Sequence, residues 1–170
     1  SALQSGLRAL QEQLRAQGYL YPDGIGTADN HTILSAGLKP VQDVPRNFKR
    51  LYGEGTDRIT DDLASWISRV RKDLQNESLH TLILSSEAFF LMKSPGQRSQ
   101  LKSILAELGD RIDAVVYLRR PSEHYISSVQ QSLKASHLIK SLKPADYRQR
   151  LRRVGSMISG QLHVFRYEPR

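Results

Sequence analysis

Cysteine is absent from the sequence, which removes disulfides, thiol nucleophiles and cysteine-bound zinc together. A chain without thiols fits a reducing compartment, and a cytoplasmic location is expected. No stretch approaches the roughly 20 apolar residues that a membrane span needs, and none has the charged, apolar and small-residue order of a signal peptide. The five histidines (His31, His80, His124, His137, His163) lack the tight spacing of metal ligands, so no metal is expected. Aromatic residues make up only 7%, with no basic-aromatic surface of the kind that stacks on bases, which argues against a nucleic-acid partner. A Gly-x-x-x-x-Gly-Lys-[Ser/Thr] loop is missing as well. So are internal repeats, low-complexity tracts and long linkers.

What is present reads as one soluble domain over residues 1–170, long enough to bury an ordinary core. The net charge of +8 attracts polyanions of any kind, from acidic polysaccharide to a phosphorylated cofactor, or it is only a soluble basic surface. The chain opens on Ser1 without a methionine, inside what reads as a helix. It is expected to be truncated at both ends.

Apolar periodicity places the elements. Leu3, Leu7, Leu10 and Leu14 recur at three- and four-residue steps, predicting an amphipathic helix that Gly18 stops. Tyr19 to Tyr21 reads as a short strand, Asn30 to Leu38 as a small helix, and residues 39 to 55 as irregular. Ile59, Leu63, Trp66, Ile67, Val70 and Leu74 form one stripe on a further helix, with Asp57, Asp61 and Asp62 near its start. LHTLILSSE is a run of strand length, and Leu101, Ile104, Leu105 and Leu108 mark a helix that Gly109 ends. IDAVVYL, at 112 to 118, reads as a buried strand. Helices follow from Pro121 to about Ala135 and from roughly Pro144 to Ile158, and LHVFRY closes the series as a strand. Strands separated by helices predict an α/β fold whose parallel sheet is covered on both faces. Ligands bind beyond the carboxyl ends of such strands, which draws attention to Ser85-Ser86-Glu87, Arg119-Arg120-Pro121 and Tyr167-Glu168.

The richest of these ends is VVYLRRPSEHYISSVQQ. A strand delivers Arg119 to its carboxyl end, where a guanidinium can grip phosphate with two parallel hydrogen bonds. Pro121 holds Arg120 extended and starts a helix whose free N–H groups favour an anion. Helical side chains lean toward the N-terminus, so the Ser127 hydroxyl approaches the same place. The plainer reading is a basic loop before a helix, with Ser127 on a solvated or packing face.

An Arg, a Pro two residues on and a Ser eight residues on, all after an apolar strand, resemble the 3′-phosphate motif of sulfotransferases that use 3′-phosphoadenosine-5′-phosphosulfate (PAPS). The resemblance implies that Arg119 and Ser127 bind the 3′-phosphate of PAPS and of its product PAP. It also implies a three-layer P-loop-like fold with a central parallel sheet flanked by helices, and catalysis without a metal. SALQ is similar to the end of the family's phosphosulfate loop, with Ser1 at its last hydroxyl position. HVFRYEPR resembles a later strand that ends in Tyr167 and Glu168. Arg120 stands where the family often has an acidic residue or Asn. The first strand, most of the phosphosulfate loop with its lysine, and the region after the Tyr-Glu strand are not in the sequence.

Sulfuryl transfer needs a base for the acceptor hydroxyl. Glu87, at the end of LILSSE, is one candidate, and the family carries His or Glu in this vicinity. The other reading of Glu87 is a first-turn glutamate that stabilises the next helix through its dipole. His31, in the polar stretch ADNHT, is the rival base or an idle loop histidine. The implied activity is sulfuryl transfer from PAPS to a hydroxyl or amine, with a small molecule or a glycan as acceptor. The basic run KSLKPADYRQRLRR reads as a solvated face, or as a surface for an acidic acceptor. A nucleotide kinase of related topology and a non-catalytic basic module for acidic glycan or nucleic acid are the alternatives.

Overall fold

The apolar stripe over residues 59–74 organises the first half of the chain. In the computed structural model, which describes residues 2–25, 30–40, 44, 57–75, 78–136 and 146–167, Ile59, Leu63, Trp66 and Val70 are all buried. They lie on one face of a helix, Asp57–Leu74, because steps of three and four residues stay within one sector of a 3.6-residue turn. The elements in chain order are α1 (Ala2–Ala9), α2 (Gln11–Ala16), β1 (Tyr19–Leu20), α3 (Ile33–Ala36), α4 (Asp57–Leu74), β2 (Thr81–Leu82), α5 (Glu87–Leu91), α6 (Pro95–Leu108), β3 (Ala114–Leu118), α7 (Pro121–Ser136), α8 (Tyr147–Gly155) and β4 (Leu162–Arg166). They make a mixed α/β chain with two small parallel sheets, divided into two compact units, residues 1–110 and 111–170.

In the first unit, α4 packs on α3 and α6, and all four residues of α3 are buried. Gly37 permits the close approach of α3 to α4, since a Cβ there would stand 2.7 Å from Leu63 Cδ2. β1 and β2 pair in parallel, with Tyr19 opposite Thr81 and Leu20 opposite Leu82. The backbone N–H of Ile83 extends the pairing by donating to Leu20 O.

Gly18 follows α2 in the left-handed region, at φ +84°, and its missing Cβ leaves room for the His80 ring. Gly18→Ala is expected to cost about 1–2 kcal/mol in backbone strain alone, plus the displacement of His80. A chemical-denaturation midpoint unchanged by the substitution would contradict the strain.

The leucine stripe departs from expectation. Leu3 and Leu10 are 50% and 47% exposed, whereas Gln4 is buried at 7%. The helix is interrupted at Leu10, which stands between α1 and α2. Of the residues 39 to 55 read as irregular, 41–43 and 45–55 lie outside the described residues.

The second unit is built on β3 and β4, paired in parallel over five residues from Ala114–Leu162 to Leu118–Arg166. Parallel neighbours need a crossover, which α7 and α8 supply. Among the described residues of this unit, Val154 of α8 and Met157 just after it are the buried apolar ones. Where the crossover returns, Asp113 Oδ1 accepts from the Gln161 N–H, and Ser159 Oγ accepts from the Ile112 N–H. The Gln161 hydrogen bond, with Arg111 nearby, holds the Asp113 carboxyl below its ordinary range.

β3 corrects the expectation of a fully buried strand. Val115 and Tyr117 are 57% and 52% exposed, while Ala114, Val116 and Leu118 are half-buried. Successive side chains point to opposite faces, so covering one face leaves alternate residues open. Tyr117 stacks on Phe165 of β4 on the open face, with ring centroids 5.5 Å apart.

Candidate functional site

The strand ends singled out in the sequence become two neighbourhoods, one in each unit. In the second unit Arg119 leaves β3, and Tyr167 follows β4, its N–H donating to Leu118 O at 2.8 Å. That bond keeps the strand ends in register. It also sets the Arg119 guanidinium over the Tyr167 ring, 5.2 Å from its centroid, within the range of a cation–π contact. Among the described residues no carboxylate pairs with Arg119. Arg120 differs: its Nε lies 4.0 Å from Glu123 Oε1 in the first turn of α7.

Pro121 opens α7, and the turn closes with the His124 N–H on Arg120 O at 2.9 Å. The His124 ring meets the Tyr147 ring edge-on, centroids 5.9 Å apart, which joins the first turns of α7 and α8. Ser128 Oγ donates back to His124 O at 2.8 Å. Ser127, half-buried, stands three residues after His124, and residues so spaced are surface neighbours on a helix. Burial raises the Tyr147 phenol above its ordinary pKa, against the charges of Arg150 and then Arg119, both of which pull it down. Arg119 thus meets Tyr167, His124 meets Tyr147, and Ser127 shares the His124 side of α7. This cluster carries cations, hydroxyls and aromatic rings. That is the equipment for holding a phosphate and an adjoining planar group.

The other neighbourhood lies at the end of β2 in the first unit. Ser86 caps α5, its Oγ accepting from the Ala88 N–H at 3.2 Å. Ser86 Oγ also shares a hydrogen bond with Thr32 Oγ1 at 3.0 Å, and Gln4 Nε2 donates to Ser85 Oγ at 3.4 Å. Glu87 follows at the first position of α5, exposed, and pairs with no cation among the described residues. Its carboxylate can receive a proton from a bound hydroxyl. It equally suits the helix dipole, so both readings of the sequence survive in the geometry.

His31 is wholly buried. Its Nδ1 accepts from the Ser85 N–H at 2.8 Å, and its Nε2 lies 2.9 Å from Pro22 O. A backbone N–H can only donate and a carbonyl can only accept, so the ring is neutral with its proton on Nε2. The backbone N–H of His31 donates to Ser85 O at 2.9 Å, and Tyr21 and Trp66 pack around the ring. Burial pulls its pKa below the ordinary histidine value, against the hydrogen bonds to Pro22 and Ser85. Both nitrogens are committed to backbone, which leaves no lone pair for an acceptor proton. His31 ties the segment after β1 to the end of β2 and so braces Ser85, two residues before Glu87.

A cleft of about 100 Å³ lined by Pro22, Asp23, Trp66, Arg69, Val70 and Asp73 is too small for a nucleotide. Ser1 and Glu168 lie outside the described residues, as does His137. Among the described residues no three His, Asp or Glu side chains assemble as metal ligands, and no helix is long and apolar enough to cross a membrane. Sequence reasoning missed Gln4, whose helical position gave no sign of burial, and Tyr147 with Arg150, which sit in a basic run that reads as a solvated face. Comparison with family models, with curated proteins and with solved structures gives no match to this chain.

Proposed function

We propose that the protein is a sulfotransferase that moves the sulfuryl group of PAPS to a hydroxyl or amine, with a carbohydrate among the acceptors. The observation that carries this reading is Arg119. A strand end presents it without a carboxylate partner among the described residues, held over Tyr167 and directly before the helix that bears Ser127. That arrangement supports the resemblance of the Arg-Pro-Ser spacing to a 3′-phosphate site. The fold proposed with it is a three-layer P-loop-like domain with a central parallel sheet flanked by helices.

The chemistry is one displacement. The acceptor oxygen attacks sulfur in line, a bond forms between them, and the bond from sulfur to the 5′-phosphate oxygen breaks with its electron pair leaving on PAP. The acceptor proton passes to a carboxylate, for which Glu87 is the candidate. Positioning and charge stabilisation supply most of the acceleration, as in phosphoryl transfer. Arg119 and Ser127 fix the nucleotide through a phosphate that takes no part in the reaction, so their work falls on binding.

Arg119→Ala is accordingly expected to raise the KM for PAPS about 10- to 100-fold, the loss typical of a charged hydrogen-bonding partner, with kcat nearly unchanged. Steady-state kinetics on the intact protein with labelled PAPS, across a panel of glycans and small alcohols, makes the measurement. Absence of turnover with every acceptor, together with no binding of PAPS, would remove the proposal. The basic helix α8, with Arg148, Arg150, Arg152 and Arg153, favours a second reading, a binding module for acidic glycan. Steeply salt-dependent glycan binding without PAPS turnover would select it.

A further inference from the structure

We propose, on the reading above in which Glu87 takes the acceptor proton, that Thr32 is the positioning residue of that base. Thr32 occupies the N-cap position of α3, where a threonine hydroxyl ordinarily accepts from an N–H of its own helix. Its side chain makes no such bond. The hydroxyl instead shares a hydrogen bond of 3.0 Å with Ser86 Oγ, 54 residues on. The backbone beneath it is fixed on both sides. The Thr32 N–H donates to Asn30 Oδ1 at 3.0 Å, and the Thr32 carbonyl accepts from Ser35 Oγ and from the N–H groups of Ser35 and Ala36 in the buried α3. A half-buried hydroxyl on so firm a base serves the end of β2 rather than its own helix.

The residue before it works in the same direction. His31 donates its backbone N–H to Ser85 O, and its Nδ1 accepts from the Ser85 N–H. Residues 31 and 32 therefore grip residues 85 and 86 through three hydrogen bonds. Ser86 passes the constraint on, because the same Oγ that meets Thr32 accepts from the Ala88 N–H and caps α5. A helix of five residues does not sustain itself, so α5 starts where this grip sets it. Its first residue is Glu87, exposed and paired with no cation among the described residues. A general base must come within hydrogen-bond reach of one proton, which calls for a fixed backbone under a free carboxylate. Thr32 supplies the part of that fixity that lies nearest the base.

Steady-state kinetics on the intact protein, with labelled PAPS and the same panel of glycans and small alcohols, tests the assignment. Thr32→Val keeps the shape of the side chain and removes its hydroxyl. It is expected to lower kcat about 10- to 100-fold, the cost of a misplaced reacting group, and to leave the KM for PAPS unchanged. Thr32→Ser returns the hydroxyl and should recover kcat to within a few fold. In the Glu87→Gln background Thr32→Val should cost nothing further, because the carboxylate it acts through is gone. A hydroxyl that serves only the fold behaves otherwise: its loss lowers the thermal midpoint and multiplies the loss of Glu87→Gln. Thr32→Ala carries the same comparison if the valine variant melts early. If Glu87→Gln lowers turnover while Thr32→Val keeps kcat, or if the Thr32→Val loss persists in full beside Glu87→Gln, the positioning role is wrong and the base stands. If Glu87→Gln leaves turnover intact, or no acceptor is turned over by the parent, both fall.

Discussion

Glu87→Gln is expected to lower the turnover of PAPS-dependent transfer by about 10²- to 10⁴-fold, the usual contribution of a positioned general base. The substitution keeps the size and most of the hydrogen bonding of the side chain and removes only its ability to take a proton. Ser86 supplies the cap of α5 through its own Oγ, so the helix start does not depend on Glu87. Nucleotide binding should be unchanged, because a residue that only takes the acceptor's proton holds no part of the nucleotide. A glutamate that serves only the helix dipole gives a different signature. Turnover would then hold within a few fold, and stability would drop by at most about 1 kcal/mol. Parallel measurement of kcat and thermal midpoint separates the two, and the nearly unchanged kcat of Arg119→Ala completes the division of labour.

The largest stability effect is expected at His31. Replacement by Ala leaves the Ser85 N–H and Pro22 O without partners in a buried place and opens a cavity beside Trp66 and Tyr21. Each stranded group costs about 1–3 kcal/mol, so the total reaches roughly 3–5 kcal/mol, a large share of the ~5–15 kcal/mol that holds an ordinary domain. The same geometry fixes a pH dependence. Burial holds the folded pKa of His31 below its unfolded value of about 6.5. Above that value the ring is neutral in both states and contributes no slope. As pH falls below about 6.5 the unfolded chain takes up a proton that the folded ring refuses. Stability therefore falls, by up to about 1.4 kcal/mol per pH unit, until the folded pKa is passed. Asp23, held below its ordinary value by the Gln11 hydrogen bond and by Arg8 against the effect of burial, loses its contribution only at lower pH, in the carboxylate range. Denaturant melts between pH 8 and pH 5 should show the slope in the parent chain. His31→Gln, which keeps a donor for Pro22 O and cannot titrate, should lack it. An equal slope in both would place the titration elsewhere.

His31 also shows where reading the sequence stops. Its partner Ser85 is 54 residues away, and nothing local to ADNHT marks the histidine as a brace rather than a loop residue or a base. By contrast, the helix over residues 57–74 was legible because periodicity is a local property and burial follows directly from it. Gly18 was legible for a similar reason, since a left-handed stop favours glycine whatever packs nearby. The leucines at 3 and 10 misled because spacing marks an apolar face without saying what packs on it, and Gln4 is the residue buried in α1. IDAVVYL was correctly read as a strand, but composition gives no measure of how many faces are covered. The Arg119 motif was visible as spacing along one strand and one helix. Tyr147 and Arg150 were not, because they reach the cluster through a contact between rings 23 residues apart.

The central claim is that Arg119 grips a phosphate on the nucleotide ribose where β3 gives way to α7. Equilibrium titration with PAP and with adenosine 5′-phosphate at one fixed salt concentration puts that claim to the most direct test, since the two ligands differ only in the 3′-phosphate. The account predicts at least about tenfold tighter binding of PAP to the parent chain and near equality of the two ligands in Arg119→Ala. Equal affinities in the parent chain, or a PAP preference that survives the substitution intact, would contradict it.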